Sequence, residues 1–295
     1  MFPGQGAQRA GLGTPWRDDP AWSVVERAES VLGRSLDGLL LDPKATLQRT
    51  EDAQLAVLLA SLMAWQSIAA TLETPVAFAG HSLGQVTALI AAGALSLDDG
   101  LALAAHRAAV TQMAADERPG AMVALLGATL AQAEEACAAT DSCWLANDNA
   151  PGQVVVAGTP VGVAAATAAA RELGVGRSLR LDVGGAFHTP LMAPAAAALA
   201  PRANALALSV PTAPVVSNGD AQPYADAEGW RLRMVDHLVT PVRWRQSIES
   251  LVALGATELI EVGPGRILVG LARRTAPQVP VRSADAPSLE VSPCH

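Results

Sequence analysis

The pentapeptide Gly80-His81-Ser82-Leu83-Gly84 constrains this chain more than any other stretch of it. It lies between an apolar run, Pro75-Val76-Ala77-Phe78-Ala79, and a helical pattern from Leu83 to Ala94. A short apolar run bounded by glycine reads as a buried strand. Gly-x-Ser-x-Gly between a strand and a helix suits a sharp turn that lifts the serine above the sheet, with glycines where the backbone crowds. The helix start behind Ser82 favours negative charge developing there, and the Leu83 amide is placed to donate to an oxyanion. The plainer reading is a tight turn with an incidental serine; its setting favours the nucleophile.

Such an elbow needs an α/β sheet around it. At 295 residues the chain has room for one large α/β domain, or for one with a smaller unit inserted. No repeat, charge run or linker divides it. A glycine-punctuated loop, Phe2-Pro3-Gly4-Gln5-Gly6-Ala7-Gln8, comes first, and helical patterns follow over 21–40 and 52–72. Ser96 and Asp99 have capping-box-like spacing ahead of a helix reaching about Ala115. Strand patterns at 121–126, 144–147, 153–157 and 178–183 then alternate with helical ones at 130–139 and 161–173. That order, β-α-β-β-α-β, is ferredoxin-like. A ferredoxin-like subdomain is therefore expected at about 117–184, inserted into an α/β body made of 1–116 and 185–295. Further strands are expected at 214–217 and 258–262, and the last twenty residues read as a loose tail.

Composition excludes several classes. A net charge of -8 argues against a general nucleic-acid binder, which needs a basic surface. Cys137, Cys143 and Cys294 show no metal-ligand spacing and no disulfide framework. The stretch 55–72 is apolar enough to test as a membrane span, but Ser61, Gln66, Ser67 and Thr71 interrupt it, so a buried helix is expected. With no signal-peptide pattern, a cytoplasmic protein without membrane or nucleic-acid partners is expected.

A serine hydroxyl is a weak nucleophile and needs a base. Of five histidines, His81 adjoins the elbow and reads as structural, His106 lies on a helix, and His295 is in the tail. His188, in Gly184-Gly185-Ala186-Phe187-His188-Thr189-Pro190, reads equally as a base projecting into a cleft or as a packed loop histidine. Arg107 by itself reads as a solvated helix arginine.

The chain resembles the malonyl-CoA:acyl carrier protein transacylases and the acyltransferase domains of polyketide synthases, including stand-alone, trans-acting ones. The matching residues, in family order, are Phe2-Pro3-Gly4-Gln5-Gly6, Gly80-His81-Ser82-Leu83-Gly84, Arg107, Ala186-Phe187-His188, Pro241-Val242-Arg243-Trp244 and Glu261-Val262-Gly263-Pro264-Gly265. The resemblance implies an α/β hydrolase-like body with a ferredoxin-like insert. It implies Ser82 as nucleophile, His188 as base and acid, the amides of Gln5 and Leu83 as oxyanion hole, and Arg107 holding the carboxylate of a dicarboxylic acyl group. Phe187 would favour malonyl over branched donors. The implied partners are an acyl carrier protein and an acyl-CoA, with malonyl-CoA the expected donor, and the resemblance implies no metal and no cofactor beyond the coenzyme A thioester as substrate.

Three departures stand out. Family members usually carry first-strand residues ahead of Phe-Pro-Gly-Gln-Gly. Gln85 stands where glutamate is usual, a lost charge that could accompany an altered acyl pocket. His237 stands where glutamine or asparagine is usual, in a position whose backbone carbonyl orients the catalytic histidine. Competing expectations are an acyltransferase for an unusual acyl or preassembled acyl-carrier substrate, a serine hydrolase or thioesterase, and a silent carrier-binding module.

Overall fold

Only two residues of the apolar run before the elbow, Phe78–Ala79 (β1), become strand. The computed structural model describes residues 1–287, in which eight further strands follow. They are β2 (Ala121–Leu126), β3 (Cys143–Ala150), β4 (Gln153–Gly158), β5 (Arg177–Arg180), β6 (Val215–Val216), β7 (Pro223–Tyr224), β8 (Leu259–Val262) and β9 (Val281–Ala284). Helices alternate with them, so the fold is mixed α/β.

β1 pairs in parallel with β6, and β8 in parallel with β9. The first residues of the chain run between the two pairs. Phe2 N donates to Ala79 O at 2.9 Å, His81 N to Phe2 O at 2.9 Å, and Val262 N to Met1 O at 2.8 Å. This places Pro3-Gly4-Gln5 beside the elbow. The helix Thr50–Ile68 packs as a core element, apolar on every side, with Leu55, Leu58, Leu59 and Met63 buried. It belongs to the one described segment long and apolar enough to cross a membrane, Thr50–Thr71, whose apolar window is 72% buried inside the fold.

β2 to β5 form a separate antiparallel sheet in the order β3-β4-β2-β5. Period-2 alternation gives its two faces different tasks. Val123, Leu125, Val154 and Val156 pack under the helices Leu130–Ala138 and Pro160–Glu172. Met122, Ala124, Val155 and Ala157 face the other way and pack with Ala186, near His188. Thr129 closes a full capping box with Gln132 at the first helix, and Thr159 caps the second.

Two expectations are corrected. The helical pattern over 21–40 breaks, because Gly33 takes a left-handed φ of 66° and ends the helix Ser23–Leu32; a short helix, Asp37–Leu41, follows. The expected loose tail begins instead with β9, whose apolar Val281 and Ala284 are buried against β8. Positions 288–295, with Cys294 and His295, lie outside the described residues.

Candidate active site

Ser82 sits in the turn after β1 with φ of 53°, a left-handed conformation costing a non-glycine residue roughly 1–3 kcal/mol. The chain can turn there only because its flanks lack side chains. A Cβ on Gly80 would lie 1.9 Å from the Gly84 oxygen, and one on Gly84 would lie 2.1 Å from the Phe2 oxygen. Asn218, fully buried just past β6, grips both sides of the turn. Its Oδ1 accepts from Ser82 N at 2.8 Å, and its Nδ2 donates to Gly80 O at 2.7 Å. Each bond contributes about 0.5–1.5 kcal/mol net, enough together to offset the strain. The parallel pairing of β1 with β6 brings these residues together across the sequence. Behind the turn, the helix Gly84–Ala91 points its N-terminus at Ser82.

His188 lies on the segment following β5, also with a left-handed φ, 62°. Its Nδ1 meets the His237 carbonyl at 2.9 Å. A carbonyl only accepts, so Nδ1 carries the ring proton and Nε2 is left with its lone pair. That lone pair faces Ser82 Oγ at 2.9 Å. Burial, then the nearby Arg107 charge, pushes the His188 pKa down to about 3, so the ring is neutral at ordinary pH.

Arg107 extends from the helix Leu97–Glu117, which Ser96 caps, and is buried. Its Nη2 donates to Ser82 Oγ at 3.2 Å, and its Nη1 donates to Gln54 Oε1. Gln54 in turn donates to Thr111 Oγ1 at 3.3 Å. Among the described residues no carboxylate pairs with Arg107. Burial lowers its pKa to about 10, which leaves it cationic at neutral pH. A buried guanidinium without a counter-charge is costly, and here it stands beside the serine.

These groups share one cavity of about 610 Å³, lined by Gln5, Ser82, Leu83, Arg107, Phe187 and His188 among others. The amides of Gln5 and Leu83 have no hydrogen-bond partner among the described residues. Phe187 lines the cavity while packing against two apolar clusters.

His81 also lines the cavity, but its Nε2 contacts Asn149 Oδ1 at 2.8 Å and its ring packs edge-on to Trp244, a structural setting. His106 contacts the Ala198 carbonyl at 3.1 Å. Gln85, one residue into the helix, turns behind the elbow toward Asn218 and His237 and does not line the acyl cavity. Several late arginines have partners within the fold: Arg231 donates to Leu206 O, Arg233 stacks on Tyr224, and Arg245 pairs with Asp148 and Glu249. Sequence reasoning missed Asn218 and Gln54. The only signals were an Asn-Gly pair directly after an apolar run, and an amide inside an otherwise apolar helix.

Serine hydrolases usually place a carboxylate behind the histidine. Here a backbone carbonyl holds that position, and the buried charge beside the serine, unpaired among the described residues, is the Arg107 guanidinium. Fold and site together define an α/β acyltransferase, and residues 1–294 match the acyl transferase domain family. The chain is 36% identical to the malonyl CoA-acyl carrier protein transacylase of Bacillus subtilis, covering 93% of this chain and 89% of that protein. It is 36% identical to the Escherichia coli K12 protein of the same name, covering 98% and 96%. It therefore belongs to the malonyl CoA-acyl carrier protein transacylase family. The crystal structure of the Xanthomonas oryzae transacylase superposes with a TM-score of 0.91 at 37% identity, covering 97% of this chain and 93% of that one. A malonyl transacylase solved in complex with a type II polyketide synthase acyl-carrier protein superposes at 0.92 with 33% identity, covering 97% and 94%.

Proposed function

We propose that the enzyme moves a malonyl group from coenzyme A to the phosphopantetheine thiol of an acyl carrier protein, in fatty-acid or polyketide synthesis. The observation that carries the acyl choice is Arg107, a buried cation beside Ser82 with no carboxylate partner among the described residues. A dicarboxylic acyl group supplies that partner through two parallel charge-assisted bonds.

His188 Nε2 takes the Ser82 proton as Oγ attacks the thioester carbonyl. The Gln5 and Leu83 amides receive the oxyanion. Collapse expels the coenzyme A thiolate, which takes its proton from His188 and leaves malonyl-Ser82. The carrier thiol then gives its proton to His188 and attacks the ester, and Ser82 recovers its proton as it departs. His237 orients His188 through its carbonyl throughout. The steps are carried by side chains and backbone amides, with coenzyme A entering as substrate. Phe187 crowds the side of the cavity where an α-methyl branch would sit, a preference of about 1–3 kcal/mol.

The antiparallel sheet and its two helices support reading residues 117–184 as a ferredoxin-like insert, since β3-β4-β2-β5 is the strand order that topology requires. Residues 1–116 and 185–295 then form an α/β hydrolase-like body, with the site at their junction. The unpaired thiols of Cys137 and Cys143 suit a reducing, cytoplasmic compartment.

The test is intact-protein mass after brief exposure to malonyl-, methylmalonyl- or acetyl-CoA. A malonyl adduct on the wild type, absent from Ser82→Ala and passed on to a carrier protein, is expected. An adduct that persists in Ser82→Ala would overturn the mechanism.

A further inference from the structure

Two residues that depart from the family pattern, Gln85 and His237, touch each other behind the site. The Asn218 backbone N–H can only donate, and it bonds Gln85 Oε1 at 2.7 Å. That bond fixes which way the Gln85 amide faces. Its Nε2 then points at His237 Nδ1, 3.4 Å away. An amide nitrogen offers only protons, so Nδ1 of His237 accepts and the ring proton belongs on Nε2. The carbonyl of the same residue receives His188 Nδ1 at 2.9 Å.

Every residue in this chain of contacts is buried. The charged or titratable groups around the His237 ring are His188, with ring centroids 4.9 Å apart, Arg107 and His81. All are cations or can become so, and none is a carboxylate. Asp236, next in sequence, is exposed. A proton added to His237 would therefore meet only like charge. A glutamate at 85 could accept from Asn218 N just as well, but its second oxygen would draw a proton to Nδ1.

We infer that Gln85 and His237 act as one uncharged unit, Gln85 holding His237 in its Nε2-protonated, neutral form so that the His237 carbonyl orients His188 without an imidazolium beside it. Both are positioning residues, and the inference rests on the reading of His188 as the base. A long N–H···N contact adds little energy of its own. Its importance is the protonation state it excludes. Burial and the surrounding positive charge act in the same direction, holding the His237 pKa well below the ordinary histidine value.

Two measurements test this. In ¹⁵N spectra of histidine-labelled wild type at pH 6, with the signal assigned by its loss in His237→Gln, His237 is expected as the neutral Nε2–H tautomer. A charged ring or the Nδ1–H tautomer overturns the inference, whatever any variant does. The second is the pH–rate profile of malonyl transfer. Gln85→Glu is expected to gain an ionisation between roughly pH 5 and 8, the range in which histidines titrate. That ionisation should be absent from the wild type and from Gln85→Glu/His237→Gln. A wild-type-shaped profile for Gln85→Glu, or an ionisation that survives in the double variant, overturns the inference. Failure of the base reading looks different: His188→Ala would then keep transferring malonyl at the wild-type rate.

Discussion

Replacing Arg107 with alanine tests the acyl choice most directly. In the free enzyme the guanidinium is buried, bonded to Gln54 and to Ser82 Oγ, and without a carboxylate. With malonyl bound it gains one. Truncating one member of a buried, hydrogen-bonded charge pair costs about 2–5 kcal/mol, because the other charge is left desolvated and alone. At about 1.4 kcal/mol per tenfold, kcat/KM for malonyl-CoA should fall roughly 30- to 4,000-fold. Acetyl-CoA has no carboxylate to strand, and its kcat/KM should change less than about threefold by the same reasoning. The assay is coenzyme A release with a carrier protein as acceptor, run side by side with both donors. Arg107→Lys keeps the charge but loses the planar fork, and should fall between wild type and alanine. A specific result refutes the reasoning: equal losses for the two donors. Arg107 would then serve only to hold Ser82 Oγ, and the carboxylate would be recognised elsewhere.

Asn218→Ala should leave the cavity lining unchanged yet release both sides of the elbow. Each stranded backbone group costs about 1–3 kcal/mol, so urea unfolding should show the loss, and acyl-serine formation should slow with it. An unchanged acylation rate would show that the glycines alone hold Ser82 in place. The pH dependence of stability has a defined sign. His188, His81 and His237 all have folded pKa values below the ordinary histidine value, chiefly through burial. The unfolded chain therefore binds more protons, and the stability these rings contribute is complete above about pH 6.5 and is lost as pH falls toward the His188 value of about 3. His188 contributes a slope of up to about 1.4 kcal/mol per pH unit inside that window, and His81 and His237 act in the same direction. Urea midpoints at pH 7, 6, 5 and 4 measure it, and a flat series would contradict the buried, neutral assignment.

What the sequence disclosed depended on how far each pattern extends. The four antiparallel strands could be read because they run four to eight residues with turn residues between them and capped helices alternating with them. β7 has two residues, too few to show a period, while β6, equally short, was read from the apolar run around it. The elbow was legible because its pattern is contiguous in sequence, although only the demand at Gly80 comes from the turn itself and that at Gly84 comes from the Phe2 carbonyl. Asn218 was not, since its partners are Gly80 and Ser82, far away in sequence and joined to it only by strand pairing. Gln85 could be read only as a charge missing near the site. Its spacing from Ser82 is compatible with either side, and only the helix direction decides which one it faces.

The antiparallel sheet is tied to the rest of the molecule by backbone as well as side chains. Val242 N donates to Ala146 O and Asp148 N to Val242 O, each at 2.9 Å, while buried Asp148 pairs with Arg245. For anyone building chimaeras, this stitch sets the cut points. A host that lacks the 242–245 segment leaves buried Asp148 without its counter-ion at the graft junction, whereas a sheet that lacks the acid at 148 leaves Arg245 with Glu249 alone. An exchange of the sheet must therefore move both strips of sequence together.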